Sequence, residues 1–216
     1  MEARKINGLL VMWEELPLDL FTPVSAFFKL QRIGAVCLLE SVEKGEKLGR
    51  YSFIGLSPER RIVVNGSELI TAEGKIRLTR GATKEVLDSI LEAERLLPLD
   101  EVPFAGGWAG YIGYDFVSFL EEIELPENSN PFPALFLYQF NHLLIFDHVK
   151  NTGKILLVGE EKKKQEMGEK LNSIREALRF PGNLTSPEFF LEQDHSLVLQ
   201  PSLSQEDFIK RVQKAK

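Results

Sequence analysis

The stretch AVCLLESVEKGEKLGRYSFIG, residues 35–55, sets two apolar runs on either side of a charged one. Ala35 to Leu39 is short and apolar enough to be a central strand, and Tyr51 to Gly55 reads as a second strand. The first run ends on Glu40 and Ser41, and the second opens on Tyr51 and Ser52. A carboxylate buried at a strand end without a partner is costly. Two readings follow. In one, the strand emerges into solvent and Ser41 caps the turn. In the other, neighbouring strands bring a carboxylate, two hydroxyls and a phenol to one corner of an apolar sheet. Such a corner suits a small zwitterion with an apolar body: the carboxylate pairs with its ammonium, and hydroxyls and backbone N–H groups take its carboxylate.

Outward from this stretch, strand signals continue. Arg61 to Val64 leads into Asn65-Gly66, which predicts a tight type I′ hairpin turn. Ser67 to Thr71 returns, and Glu73-Gly74 turns the chain again into Lys75 to Thr79. Hairpins of this kind predict antiparallel pairing rather than strand–helix–strand alternation. Thr83 is placed to cap a helix with Val86, Leu87, Ile90 and Leu91 on one face. Glycines 106, 107, 110 and 113 lie among Trp108, Tyr111 and Tyr114. The spacing is not that of a dinucleotide-binding loop. It predicts a strand where backbones approach closely and aromatic rings cover bare glycines. Asp115 is read as the cap of a following helix. Leu135 to Asp147 predicts one long strand, Lys154 to Val158 its return, and Glu161 to Phe180 a charged helix. Prolines 181, 187 and 201 mark an irregular linker. Ser204 and Asp207 then form a capping pair for a last helix with Phe208, Val212 and Ala215 on its apolar stripe. That helix reaches Lys216 with no stop signal, which suggests a chain cut short.

The 216 residues suffice for one large domain or a domain and a half, with 44% hydrophobic and 27% charged residues. A net charge of −6 and the absence of a basic arm argue against nucleic acid as a partner. Lys162, Lys163 and Lys164 are balanced by neighbouring acids and read as a solvated helix face. Cys37, the only cysteine, allows no internal disulfide. Neither a signal peptide nor an 18-residue apolar run is present, so a cytoplasmic location without membrane attachment is expected. None of His142, His148 and His195 has a metal-ligand partner one helical turn away. Asp147-His148 has the order of a carboxylate that orients an imidazole, but sequence fixes no nucleophile beside it. No catalytic constellation is visible from residue types.

LLES followed by Ser52 resembles the tryptophan-binding element of anthranilate synthase component I, a chorismate-utilising enzyme family. LLESVEKGEKLGRYSFIG resembles that family along its length, as do GGWAGYIGYD, the strand ending in LLIFDH, and SLSQEDFIKRVQKAK at the opening of the family's chorismate-binding domain. The related aminodeoxychorismate synthase component I often has a shorter segment between the two serines. The resemblance implies an α+β fold, a largely antiparallel sheet with flanking helices, forming the N-terminal lobe of a two-lobed molecule. It implies a regulatory domain at 1–180, a linker at 181–201 and the start of a catalytic domain at 202–216. It implies that Glu40, Ser41, Tyr51 and Ser52, and more weakly Leu39 and Phe53, form half of an L-tryptophan feedback pocket. The catalytic residues and the Mg²⁺ ligands of the family would lie beyond Lys216, so none is expected in this chain. A glutamine amidotransferase subunit is the implied partner, with chorismate bound through the further domain. A stand-alone tryptophan-binding module without catalysis is the competing reading.

Overall fold

A computed structural model describes residues 1–19, 21–40, 49–79, 83, 85, 87–88, 103–123, 131–179 and 203–215. Ser41, Val86, Ile90, Leu91 and the linker at 181–201 therefore lie outside the described residues. The chain divides into two compact units, Met1–Leu184 and Thr185–Lys216.

The first unit is α+β, with two antiparallel sheets. Its strands are β1 (Glu2–Ile6), β2 (Leu9–Pro17), β3 (Ala35–Leu39), β4 (Tyr51–Leu56), β5 (Arg60–Asn65), β6 (Glu68–Thr71), β7 (Gly74–Arg77), β8 (Gly107–Ile112), β9 (Leu135–Phe140), β10 (His142–Asp147) and β11 (Thr152–Gly159). The first sheet has the order β1-β2-β11-β10-β4-β3, and the second β7-β6-β5-β9-β8. Every recorded pairing is antiparallel.

Helices α1 (Pro23–Leu30) and α2 (Lys164–Arg179) cover one face of the first sheet. In α1, Thr22 accepts from the Ser25 N–H at 3.2 Å while Ser25 Oγ accepts from the Thr22 N–H at 2.9 Å. This reciprocal cap, with Pro23 in the first turn, sets the helix start. In α2, Met167, Leu171, Ile174 and Leu178 recur at helical spacing and are all buried. They meet Ile54 and Leu56 of β4, Leu144 and Phe146 of β10, and Ile155 and Leu157 of β11. Each such side chain contributes about 1.5–3 kcal/mol by leaving water. The opposite face carries Val11, Leu143, Ile145, Leu156 and Val158, packed with Phe140 of the second sheet. The centre of the first sheet is thus buried on both sides, which is why β10 reads as an unbroken apolar run. A third cluster, including Ile62, Val64, Leu69, Leu87 and Phe116, packs on the second sheet.

Five expectations change. Ala35–Leu39 is an edge strand, not a central one, and Val36 and Leu39 are exposed there. Leu135–Asp147 is two strands. The chain leaves the second sheet after Phe140 and enters the first at His142, with the Asn141 carbonyl accepting from the Val158 N–H at 2.8 Å. Asn65 stays in β5 opposite Glu68, leaving Gly66 and Ser67 as the loop. Of these, only Gly66 has positive φ, so a type I′ turn, which needs two such residues, does not form. Thr83 is not a cap: its N–H already bonds the Thr79 carbonyl at 3.2 Å, one helical turn back. Gly113, not Asp115, occupies the cap position of the 3₁₀ turn Tyr114–Phe119.

The second unit contributes α3 (Gln205–Ala215). Ser204 Oγ accepts from the Asp207 N–H at 3.2 Å and donates to the Asp207 carboxylate at 2.8 Å, the expected capping pair.

Candidate effector corner at the β3 and β4 ends

β3 and β4 are paired with Leu39 opposite Phe53 and Leu38 opposite Ile54. The C-terminal end of β3 and the N-terminal end of β4 therefore meet at one edge of the first sheet. Glu40 follows directly and is exposed. Side chains alternate between faces along a strand. Leu39 shares a face with Phe53, and Tyr51 and Phe53 pack towards the second sheet, within the cluster of Phe140 and Leu143. Ser52 lies on the opposite face, in line with Ile54 and Leu56 under the helices. Of the predicted set, Leu39, Tyr51, Ser52 and Phe53 share a strand end but are split between two faces.

The apolar half of the corner is an aromatic shelf. The Tyr51 and Phe53 rings lie 6.1 Å apart, and Phe53 meets Phe104 edge-on at 5.7 Å. Leu39 beside it is 41% exposed. The Arg50 guanidinium sits 4.8 Å from the Tyr51 ring centroid, within cation–π range.

The polar half is built by β4 and β10, whose register places Phe146 opposite Ser52 and Asp147 opposite Tyr51. Arg50 donates two hydrogen bonds to Asp147, from Nε to Oδ1 at 3.1 Å and from Nη2 to Oδ2 at 2.7 Å. Asp147 Oδ1 also accepts from the Val149 and Lys150 N–H groups, both at 3.1 Å. Burial pushes the Asp147 carboxyl up, but these donors outweigh it, and the carboxyl titrates below its ordinary value. The Asp147 hydrogen bond raises the Arg50 guanidinium. Ser52 is fully buried, and its Oγ lies 2.7 Å from His148 Nε2. The His148 ring stacks on Phe146 at 6.3 Å, and the His148 N–H bonds the Arg50 carbonyl at 2.8 Å.

A serine and a histidine in contact suggest nucleophilic chemistry, but the geometry argues otherwise. A fully buried hydroxyl offers no line of attack to a substrate. The recorded partners of the Asp147 carboxylate are Arg50 and the turn amides, so it does not orient the imidazole as a triad requires. The pair instead fixes Ser52 beneath the corner. Among the described residues, no group of three or more His, Cys, Asp or Glu side chains is placed to hold a metal ion. No described helix is long and apolar enough to cross a membrane.

Arg50, Asp147 and His148 were not singled out as members of this corner by sequence. Asp147-His148 was visible as a pair, but its meeting with Arg50 and Ser52 depends on β10 pairing with β4 across more than 90 residues.

The sequence pattern of the family described as chorismate binding enzyme matches residues 34–216. Anthranilate synthase component 1 of a Synechocystis species is 34% identical over 162 residues, which is 69% of this chain and 30% of that protein. Anthranilate synthase component 1 of Acetivibrio thermocellus is 29% identical over 94% of this chain and 43% of its own length. Anthranilate synthase component I from Streptococcus pneumoniae TIGR4 has a similar structure, with a TM-score of 0.57 and 25% identity over 98% of this chain and 44% of that one. The chain thus spans less than half the length of these relatives.

Proposed function

The chain belongs to the chorismate binding enzyme family, and from that premise we propose that it is the N-terminal portion of an anthranilate synthase component I. The whole protein would combine chorismate with ammonia to give anthranilate and pyruvate. A glutamine amidotransferase subunit, the component II implied by the relatives' names, would supply the ammonia. Mg²⁺ and chorismate would be held by the part of the protein beyond this chain, and the enzyme would work in the cytoplasm.

The corner at the β3 and β4 ends would then be half of an L-tryptophan feedback site. The observation that supports this reading is the pairing of Leu39 with Phe53, which brings the exposed Glu40 and the aromatic shelf to the same end of the β3–β4 pair. Glu40 would take the ammonium of the amino acid. Ser41, Ser52 and backbone N–H groups would serve its carboxylate. Tyr51, Phe53 and Leu39 would face the indole. Ser52, buried and held by His148, supports the corner from beneath and reaches a ligand only if that contact opens. A pocket closed by two parts of one protein has different affinity for tryptophan in each arrangement, which is what feedback inhibition requires. The aminodeoxychorismate branch stays behind this reading because the relatives named above are all anthranilate synthases.

The test is anthranilate formation by the whole protein carrying Ser41→Arg. Turnover of chorismate is expected to persist while L-tryptophan no longer inhibits. Retained inhibition would remove Ser41 from the site, and formation of aminodeoxychorismate instead of anthranilate would place the protein in the other branch.

A further inference from the structure

A second polar cavity lies at the other end of the same sheet. β10 runs from His142, opposite Leu56, to Asp147, opposite Tyr51. The corner with Ser52 is at one end of this strand pair, and the cavity opens at the other, between the sheet and α2. Its volume is about 410 Å³, within the range of small-molecule sites. Ser57, Glu59, His142, Glu166 and Lys170 line it, over an apolar floor of Val158 and Met167.

Three features distinguish this cavity from an ordinary surface cleft. First, the Lys170 ammonium is fixed in place. Its Nζ donates to the Ile33 carbonyl and to Ser57 Oγ, both at 2.8 Å. Both acceptors are neutral, and among the described residues no carboxylate is recorded as its ion-pair partner. A helix clamp needs only these two bonds, whereas an ammonium has three donors, and the third remains for a ligand. Second, Ser57 is held at φ +45°, a sparsely occupied region for a residue other than glycine, while its N–H bonds the Gly34 carbonyl at 2.7 Å. Third, His142 Nδ1 is buried, and among the described residues it has no hydrogen-bond partner. A buried bare lone pair is less costly than a buried orphan N–H, so the proton belongs on Nε2 of this cavity-lining imidazole. Burial first, and Lys170 second, lower the proton affinity of this imidazole, and burial lowers that of Lys170. The cavity therefore offers a neutral N–H donor beside a cation, with the exposed carboxylates of Glu59 and Glu166 close enough to act on His142.

We propose that this cavity binds a free α-amino acid, with the carboxylate on Lys170 and His142 Nε2–H and the ammonium on Glu59 and Glu166. A multiply charged anion such as a phosphate ester fits poorly, because Glu59, Glu166 and Glu169 outnumber Lys163 and Lys170 in the lining. This site is separate from the tryptophan corner, and neither proposal depends on the other.

The test is a titration of the isotopically labelled 216-residue chain, followed by NMR. The probes are glycine, L-serine, L-glutamine and L-phenylalanine, with acetate and ethylammonium as half-ligands. Saturable shifts at Ser57, Glu166 and Lys170 are expected with at least one amino acid, at a Kd at least tenfold below that of either half-ligand. Lys170→Met should weaken that binding about tenfold or more. Glu166→Gln, at an exposed position that leaves folding intact, should weaken the amino acid several-fold and leave acetate unchanged. No saturable shift with any of the four amino acids would overturn the proposal. So would equal binding of acetate, which would make this a simple anion site, or binding insensitive to Glu166→Gln. Shifts confined to Tyr51, Ser52 and Phe53 would also overturn it, placing the ligand in the other corner.

Discussion

Asp147 holds the polar half of the candidate effector corner together. Its carboxylate accepts from Arg50 twice and from two turn amides, and the side chain is only 12% exposed. These donors favour the ionised form, so the folded carboxyl titrates below its unfolded value. The sign follows: the stabilisation is fully present above the unfolded value of 3.8 and is lost as pH falls through the lower folded value. Asp147→Asn is expected to lose about 2 kcal/mol of unfolding free energy near neutral pH, since hydrogen bonds to a charged group are broken. The gap between variant and parent should narrow as the pH falls through the lowered folded value of the Asp147 carboxyl. Urea unfolding at several pH values measures this, and a gap independent of pH would contradict it. At this scale the sequence was partly legible. Glu40, Tyr51 and Ser52 could be placed at one strand end from the apolar runs alone, whereas Leu39 and Phe53 came only from the family resemblance. The Ser52–His148 contact could not, because it depends on a pairing that no local pattern encodes.

At the scale of the element, the glycine-aromatic strand β8 shows what a local pattern does reveal. Gly110 sits opposite Leu137, and a Cβ there would collide with the Phe136 carbonyl oxygen and crowd Leu137 Cα. The close backbone approach expected from the glycine spacing is thus met at this position. Gly110→Ala is expected to cost about 1–3 kcal/mol, as overpacking does, and to loosen β8 from β9. Hydrogen exchange at the β8 amides should speed up, whereas unchanged protection would contradict the account. Turns were less legible. Asn7 and Gly8 both take positive φ between Ile6 and its partner Leu9, the two-residue turn that an Asn-Gly pair favours. Asn65-Gly66 carries the same letters and does not form it, because the β5–β6 register keeps Asn65 in the strand. The division of Leu135–Asp147 between two sheets was hidden for a related reason: Asn141 and His142 interrupt the apolar run by only two residues. The edge position of β3 was hidden because a short apolar strand looks alike at the edge and in the middle of a sheet.

At the scale of the molecule, the hairpin turns pointed to antiparallel sheets, and both sheets are antiparallel. The strand order was not legible, since β10 and β11 enter the sheet between β2 and β4. That insertion places Asp147 and His148 beside the β4 end, so the corner is a product of the whole topology. As proposed above, this corner would be completed as a tryptophan pocket by the rest of a longer protein. Calorimetric titration of L-tryptophan into the 216-residue chain and into the whole protein tests it most directly. Micromolar binding to the whole protein is expected, with weak or undetectable heat for the 216-residue chain. Micromolar binding to the 216-residue chain alone, or none to the whole protein, would contradict it.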